Sequence, residues 1–184
     1  MTCAAAAAAL AVGCDTPQEA PAEAAGVRFS LNGVAAQATG GGEYLLAGEF
    51  PMQFALGAVQ HANGLAAGQF HQKGDVGGTW VDVTGSVTCL AVDPATNRAW
   101  IGGVVSANRS DPDLQEDIHQ PGRDVWFRVV DYGQGDAAAA DRTTFLGFEG
   151  AAGFVTSEDY CAGRPWPDDD ARTHPLTGGN LQVK

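Results

Sequence analysis

The sequence has few basic residues, and this scarcity excludes one broad class of partner. Only 10 lysines and arginines stand against 22 aspartates and glutamates, which gives a formal net charge of -12. A surface of that sign repels phosphate backbones and anionic lipid headgroups, because like charges would meet across the interface. We therefore expect no nucleic-acid partner and no direct contact between the folded chain and a membrane.

Motifs that mark common catalytic and metal sites are missing as well. The chain has no GxSxG elbow, no SxxK, no GxxxxGK phosphate loop, no HExxH and no CxxC, which excludes the usual hydrolase, nucleotide and zinc signatures. A triad assembled from distant serine, histidine and aspartate residues stays open, because triads are defined by geometry and not by spacing. No segment has a sustained amphipathic helical period, which favours an all-β chain.

One apolar run opens the chain, and it is too short to cross a bilayer. Residues 1–14, MTCAAAAAALAVGC, fall below the roughly 20 residues of a transmembrane helix but match the apolar core of a secretion signal. The ending LAVGC resembles the lipobox of bacterial lipoproteins, in which the cysteine is lipidated. Ala11 stands where leucine is usual and no basic residue precedes the run, so ordinary signal cleavage is the alternative. We expect export to the periplasm or cell surface, with lipidation at Cys14.

Two of the four cysteines belong to this leader, which leaves Cys89 and Cys161 in the rest of the chain. In an oxidising compartment an isolated pair favours a disulfide over a nucleophile or a zinc site. The bond would close a loop of roughly 70 residues and contribute about 4 kcal/mol in the chain-entropy model. Two buried free thiols are the alternative.

The remaining chain divides into a linker and one domain. Residues 15–26, DTPQEAPAEAAG, mix proline, glutamate and alanine without an apolar period, so they lack the surface that ordering would have to bury. Residues 27–184 suffice for one ordinary core. We expect a single antiparallel barrel-like or sandwich domain of about eight strands, behind a non-globular leader and linker.

Alternation of apolar and polar side chains predicts the strands of this domain. The main runs are VRFSLNGVA (27–35), PMQFALGAVQ (51–60), LAAGQFHQ (65–72), TWVDVTGSVTCLAVD (79–93), RAWIGGVV (98–105) and DVWFRVVDY (124–132). Short runs at TTFLGF (143–148), GFVTS (153–157) and LQVK (181–184) complete the sheet. In the run 124–132, one face carries Val125, Phe127 and Val129, and the other carries Trp126, Arg128 and Val130.

The run 79–93 is apolar on both faces near its end. Val81, Val83, Val87, Cys89 and Ala91 share one face, and Leu90 and Val92 add apolar side chains to the other. A strand that is buried on both faces is typical of a closed barrel or a sandwich.

Two turns set the register of these strands. Asn63 and Gly64 predict a type I′ hairpin turn, because both tolerate a positive φ. That register places His61 opposite Ala66 and His71 opposite Leu56, five positions apart on opposite faces, which excludes a shared metal.

The turn DPATN (93–97) places Leu90 opposite Trp100 and Cys89 opposite Ile101, to within one residue. Gly102 and Gly103 then mark a bulge or a sharp bend. Elsewhere, His119 and His174 lack a companion at metal-binding spacing, which favours surface or hydrogen-bonded roles.

Four blocks resemble a family of small secreted bacterial proteins of unknown function. VQHANGLAAGQFHQ, VTCLAVD followed by NRAWIGG, WFRVVDYGQG and the closing GGNLQVK are similar to blocks that occur in this order in that family, behind a signal peptide or lipobox. The resemblance implies export and a β-domain, and it implies no activity, ligand or catalytic residue. The family's Asp-Asn-Gly-Glu-Gly turn appears here as DYGQG (131–135), and the loss of one acidic side chain weakens a metal site there.

The polar loop from Asn108 to Gly122 is the candidate functional segment, because loops of this length are uncommon in compact domains and often functional. It carries oxygen ligands that could hold calcium, namely Asp111, Asp113, Glu116 and Asp117. An EF-hand alignment fails, since Glu116 occupies the glycine position and Gly122 that of the bidentate glutamate. A solvated acidic loop is the alternative. Calcium binding is also open for the aspartates at 168–170, where the alternative is a disordered turn beside Pro167. No other cofactor is expected.

Three functions stay open on this sequence. The favoured one is an exported, lipid-anchored, non-enzymatic β-domain that presents loops to a small ligand, a glycan or a protein partner. The second is a hydrolase or isomerase at the mouth of a barrel, with a carboxylate such as Asp131 or Asp117 and a histidine as acid and base. The third is a structural envelope protein. An enclosed pocket with convergent polar groups would favour catalysis, and a filled interior would favour binding or structure.

Overall fold

Among the residues that the structure describes, eight antiparallel strands close into a barrel, and one short α-helix lies outside it. The computed structural model describes residues 33–114, 119–135, 137–147 and 153–184. The strands are β1 (Val34–Leu46), β2 (Phe50–His61), β3 (Ala66–Val76), β4 (Thr79–Asp93), β5 (Arg98–Asn108), β6 (Asp124–Val130), β7 (Arg142–Thr143) and β8 (His174–Val183), and the helix is α1 (Ser157–Gly163). Each strand pairs with the next, and β8 pairs with β1. The predicted all-β class is confirmed.

Side chains fill the barrel interior. Met52, Phe54 and Leu56 of β2 point inward, and so do Phe127 and the neighbouring valines of β6, as their alternation predicts. The deepest interior side chains, each less than 2% exposed, are Tyr44, Met52, Gln72, Val81, Phe127, Leu146 and Leu181. An eight-stranded barrel is just wide enough to be packed in this way. The core therefore occupies the space in which a larger barrel would hold a ligand.

Strand β1 was not predicted, and its glycines explain the omission. The predicted strand 27–35 lies almost wholly outside the described residues, and β1 runs instead from Val34 through three consecutive glycines, 40–42. These glycines carry no apolar signal but permit close strand packing. A Cβ at Gly41, for example, would lie 2.5 Å from the carbonyl oxygen of Phe54 on β2.

The β2–β3 hairpin is present, but its predicted register is wrong by one residue. Gly64 alone has a positive φ, of 85°, and its N–H donates to the carbonyl of His61. The loop is thus a three-residue type I turn with a glycine bulge and not a type I′ turn. His71 consequently lies opposite Ala55, six positions from His61, so the two histidines share the outer face. At about 3.3 Å per residue they are still too far apart to share a metal.

A bulge in β4 divides that strand into two parts with opposite orientation. Val87 pairs with Gly103 and Cys89 pairs with Gly102, so Thr88 is the extra residue. The predicted bulge at the glycines is confirmed, and the β4–β5 register lies one residue from the predicted one. The single face predicted for Val81 to Ala91 is wrong, because the bulge turns Leu90 into the barrel and leaves Cys89 and Ala91 outside.

Helix α1 covers this outer part of β4 and β5. GFVTS, predicted as a strand, instead leads into the helix through a capping box, in which Thr156 and Asp159 exchange side-chain and backbone hydrogen bonds. The Cys89–Cys161 disulfide is present and joins β4 to α1, with a Cα–Cα distance of 6.2 Å. A second apolar cluster lies beneath the helix and contains Ala91, Trp100, Tyr160 and Cys161, with Trp126 and Phe154 at its edge. No helix in the described ranges has the length and hydropathy needed to cross a membrane.

The barrel closes through carboxylates where strand β7 is too short. TTFLGF was predicted as a strand, but only Arg142 and Thr143 belong to β7. The following residues turn inward, and Phe145 and Leu146 are buried in the core. Beyond this short pairing, Asp141 Oδ2 accepts the N–H of Leu181 at 2.7 Å, and Asp131 Oδ2 accepts that of Val183 at 2.9 Å. These two carboxylates thus accept backbone N–H groups of β8 that the carbonyls of a longer neighbouring strand would otherwise accept.

Candidate functional site

The predicted calcium loop is described only in part. Asp111 and Asp113 lie in the described residues, whereas Glu116 and Asp117 lie outside them, as does the predicted lipidation site Cys14. Asp111 holds the start of β4, because its Oδ2 accepts the N–H of Trp80 at 2.8 Å and its own N–H donates to the Trp80 carbonyl. No group of three metal-ligating side chains occurs among the described residues. Calcium binding by the full loop stays a prediction.

The aspartates at 168–170 belong to a segment held by arginines. Arg98 Nη2 lies 2.8 Å from Asp170 Oδ1, and Tyr132 donates to the other oxygen of that carboxylate. Arg128, wholly buried, donates to the carbonyls of Trp166 and Asp169. Burial alone would raise the pKa of Asp170, but the hydrogen bonds and the arginine charges outweigh it and lower that pKa. Fixed guanidinium groups therefore balance this carboxylate, which gives the run a structural role.

Asp131, a candidate carboxylate for acid and base chemistry, also has a structural role. One of its oxygens accepts the N–H of Gly133 and the other that of Val183. The buried interior amide of Gln72 is similarly engaged, because it accepts from Tyr44 and the N–H of Leu146 and donates to the Thr144 carbonyl. The hydrogen bonds of Asp131 and Gln72 therefore hold the surrounding backbone in place.

One histidine, His119, is buried and another, His174, is half-buried, and desolvation lowers the pKa of each. His119 is 6% exposed, and its Nε2 lies 3.0 Å from the carbonyl oxygen of Leu146. Desolvation lowers its pKa against the opposing effect of that hydrogen bond. His174 stacks on Tyr44, and burial together with the charge of Arg142 lowers its pKa. The predicted hydrogen-bonded role is confirmed for His119.

The outer wall of β2, β3 and β4 carries an open groove of about 490 Å³. We call it the wall groove, and its outward side chains are Ala55, Gln69, His71, Thr84 and Ser106. The small residues at Ala55 and Gly57 lower the surface there, since neither fills the space between the longer side chains on either side. The wall groove therefore results from residue size on a continuous sheet.

His71, in the wall groove, forms a pair with a carboxylate. His71 Nε2 is 2.9 Å from Asp82 Oδ1, and both side chains are partly exposed. Within the described ranges, the hydrogen bonds of His71 include no serine, threonine or cysteine hydroxyl or thiol, so the pair has an orienting carboxylate but no nucleophile. Such a pair can donate and accept hydrogen bonds toward a bound molecule.

A second groove, of about 400 Å³, continues along the same wall to the rim of the barrel. We call it the rim groove. Strand register builds it: Glu43 lies opposite Gln53, Gln53 opposite Lys73, and Asp75 opposite Trp80. Trp80 is 42% exposed and Leu45 is 38% exposed, so an indole and an aliphatic side chain flank a row of polar groups.

No sequence motif indicated Trp80 or the outer wall as a site, because the groove residues lie on four different strands and come together only when those strands pair. The one available signal was an exposed-face tryptophan in a strand whose inward face was already defined. Comparisons of the chain with protein-family models, with curated proteins and with solved structures found no match.

Proposed function

We propose that this protein is an exported, lipid-anchored, non-enzymatic β-barrel domain that binds a ligand on the outer wall of β2, β3 and β4. The observation that carries the proposal is the contrast between a filled interior and a grooved exterior. Interior side chains such as Phe127 and Met52 are less than 2% exposed, whereas the wall and rim grooves provide several hundred cubic ångströms of open space, lined by apolar surface with a few polar side chains. Ligand sites in proteins are concavities of this size with a few placed polar groups.

The two other candidate functions have weaker support. A hydrolase or isomerase at the barrel mouth would use Asp131 or Asp117. Both oxygens of Asp131 already accept backbone N–H groups, and Asp117 lies outside the described residues. A purely structural role would not require an open groove that contains polar side chains. Export and the lipid anchor rest on the leader and on Cys14, which the sequence alone supports.

Binding is tested by titrating the isotope-labelled domain with small acids, nucleosides, short peptides and neutral oligosaccharides, and following its backbone amides by NMR. We expect shifts confined to β2, β3 and β4 with at least one class of compound, and no chemical change in that compound. Shifts concentrated at the loops of the barrel ends would contradict a site on the outer wall, and turnover of the compound would favour the enzymatic alternative. The absence of any chemical-shift change with every class of compound would favour the structural alternative.

The anchor is tested by intact mass spectrometry of the protein isolated from membranes of an expressing bacterium. We expect a chain that begins at Cys14 and carries the mass of a diacylglycerol group, and we expect Cys14→Ser to abolish that species. A soluble, unmodified chain cut at another residue would contradict the anchor and leave the binding proposal unaffected.

A further inference from the structure

Trp80 is exposed and yet firmly positioned. It follows the glycine turn between β3 and β4, and its side chain points outward with 42% of its surface exposed. Asp111 fixes its backbone on both sides, by accepting the Trp80 N–H at 2.8 Å and by donating to the Trp80 carbonyl at 2.9 Å. Because the backbone at Trp80 is fixed, a ligand that packs on the ring would have to order only the side-chain torsions.

The groups beside this indole can both donate and accept hydrogen bonds. Gln53 Nε2 donates to Glu43 Oε1 at 3.0 Å, which uses one carboxylate oxygen and one amide hydrogen. Glu43 still has further lone pairs, and Gln53 still has its amide oxygen and one amide hydrogen, for hydrogen bonds to a ligand. The Lys73 ammonium, next in the cross-strand row, adds three more donors. The rim groove thus pairs one aromatic face with a row of mixed polar groups.

A pyranose sugar has the complementary chemistry. It presents a face of C–H groups that packs on an aromatic ring and a rim of hydroxyls that donate and accept at once. The rim groove carries two carboxylates, Glu43 and Asp75, against the single ammonium of Lys73, so an anionic ligand would meet net repulsion. An uncharged sugar avoids that cost.

A peptide ligand fits this place less well. Peptides commonly bind sheets by adding a strand to an open edge, and a closed barrel has no edge at the rim groove because β1 to β4 are paired on both sides. We infer that the rim groove binds an uncharged oligosaccharide, with one sugar ring stacked on Trp80 and its hydroxyls bound by Glu43, Gln53 and Lys73. This inference rests on the proposed outer-wall binding function and names its ligand class.

The test titrates the indole N–H resonances of the full domain with maltohexaose, cellohexaose and the hexamer of N-acetylglucosamine. We expect at least one of the three to shift the Trp80 resonance with a dissociation constant of about 1 mM or tighter, the weak end of specific binding. Trp80→Ala should weaken that binding at least about tenfold, and Gln53→Ala should weaken it by a smaller factor. The matched control is Leu65→Ala, which removes another exposed apolar side chain, 67% exposed, at the β2–β3 turn, and it should leave binding unchanged.

Several results would overturn the inference. They are the absence of any Trp80 shift with all three hexamers, unchanged affinity in Trp80→Ala, and equally tight binding of an anionic hexamer such as hexagalacturonate. Melting curves show whether Trp80→Ala keeps its fold, and Trp80→Phe, which keeps an aromatic face, should retain part of the affinity. If acids, nucleosides or peptides shift the β2–β4 wall while the sugars do not, the oligosaccharide inference fails and the proposed function stands.

Discussion

Gly102 shows how closely a single residue is fitted to its neighbours. It lies on β5 under helix α1, and a Cβ at this position would lie 2.5 Å from Cys89 Sγ and 2.6 Å from Ser157 Cβ. Real Cβ atoms do not approach other heavy atoms so closely, so any side chain must displace the helix or the disulfide. The glycine therefore sets the distance at which α1 packs on the barrel wall.

We predict that Gly102→Ala destabilises the protein by about 1–3 kcal/mol, the usual cost of overpacking. Urea unfolding measured by circular dichroism would give the change in the free energy of unfolding. Gly57→Ala is the matched control, because its Cβ would meet nothing within 4 Å. It should be neutral within about 0.5 kcal/mol. Equal effects of the two substitutions would show that α1 does not pack as closely as described.

Asp141 is the second residue on which much structure depends. It is 6% exposed, its Oδ1 accepts the N–H of Tyr132, and its Oδ2 accepts that of Leu181. In Asp141→Asn the amide group can replace only one of these acceptors, so one buried N–H would lose its partner. We expect a loss of about 1–3 kcal/mol in unfolding free energy, together with faster hydrogen exchange at the Leu181 amide.

The control for this prediction is Asp168→Asn, which changes an exposed carboxylate in the 168–170 run and should alter stability by less than about 0.5 kcal/mol. If Asp141→Asn behaves like Asp168→Asn in both stability and exchange, the Asp141 carboxylate does not hold β8, and the pairing of β8 with β1 and β7 is enough to close the barrel.

Helix α1 depends on tertiary contacts more than on its own residues. Seven residues are too few for a stable isolated helix, and the disulfide and the contacts of Tyr160 with Trp126 and Phe154 hold it against the barrel. We predict that replacing Cys89 and Cys161 together by alanine costs about 2–4 kcal/mol, the usual range for a disulfide that closes a long loop.

Urea unfolding of the oxidised protein, the reduced protein and the double alanine variant would measure the effect of the disulfide. Reduction and the double substitution should lower the midpoint by similar amounts, since both remove the same cross-link. An unchanged midpoint after complete reduction, verified by thiol titration, would contradict the prediction.

The elements that could be predicted are those whose local pattern matches their environment. Strands β2, β3 and the first part of β4 alternate because one face lines the core and the other faces solvent. β5 and the second half of β6 are buried on both faces and appear in the sequence as apolar runs. β1 could not be predicted, since its glycines meet backbone and not side chains. The helix had one usable signal, the capping sequence beginning at Thr156, but apolar residues on either side of it imitated a short strand. Register errors of one residue arose because turn type, which sets register, depends on backbone angles.

The candidate site was beyond prediction for a different reason. The rim groove joins Glu43, Gln53, Lys73 and Trp80, which lie on four strands and meet only when each hairpin adopts its register. A one-residue slip would turn these side chains to the other face. The cysteine pair, in contrast, could be predicted because only two cysteines, Cys89 and Cys161, lie outside the first 14 residues.

At the scale of the whole molecule, two properties respond to pH: the net charge of -12 and the protonation of two histidines, the buried His119 and the half-buried His174. A surface with that charge repels itself, and the repulsion weakens as carboxylates gain protons. The two histidines act in the opposite direction. Their combined effect decides whether mild acid stabilises or destabilises the barrel.

We predict that stability falls as the pH is lowered from about 7 to about 5. Burial lowers the pKa of His119 and His174 in the folded protein, whereas in the unfolded chain both titrate near about 6.5. Below that value the unfolded state binds protons that the folded state does not, so unfolding is favoured, by at most about 1.4 kcal/mol per pH unit for each histidine. The lowered pKa of Asp170 acts in the same direction at lower pH, below about 4.

The measurement is urea unfolding at pH 8, 7, 6 and 5, at about 0.1 and 1 M NaCl, for the native chain and for His119→Asn with His174→Asn. High salt screens exposed charges and hardly affects buried ones, so the histidine contribution should persist at 1 M NaCl, where surface repulsion is suppressed. The double variant should lose stability less steeply between pH 7 and 5, whatever its stability at pH 8. Identical slopes of unfolding free energy against pH for the two proteins in high salt would show that surface charges, and not these histidines, cause the pH response.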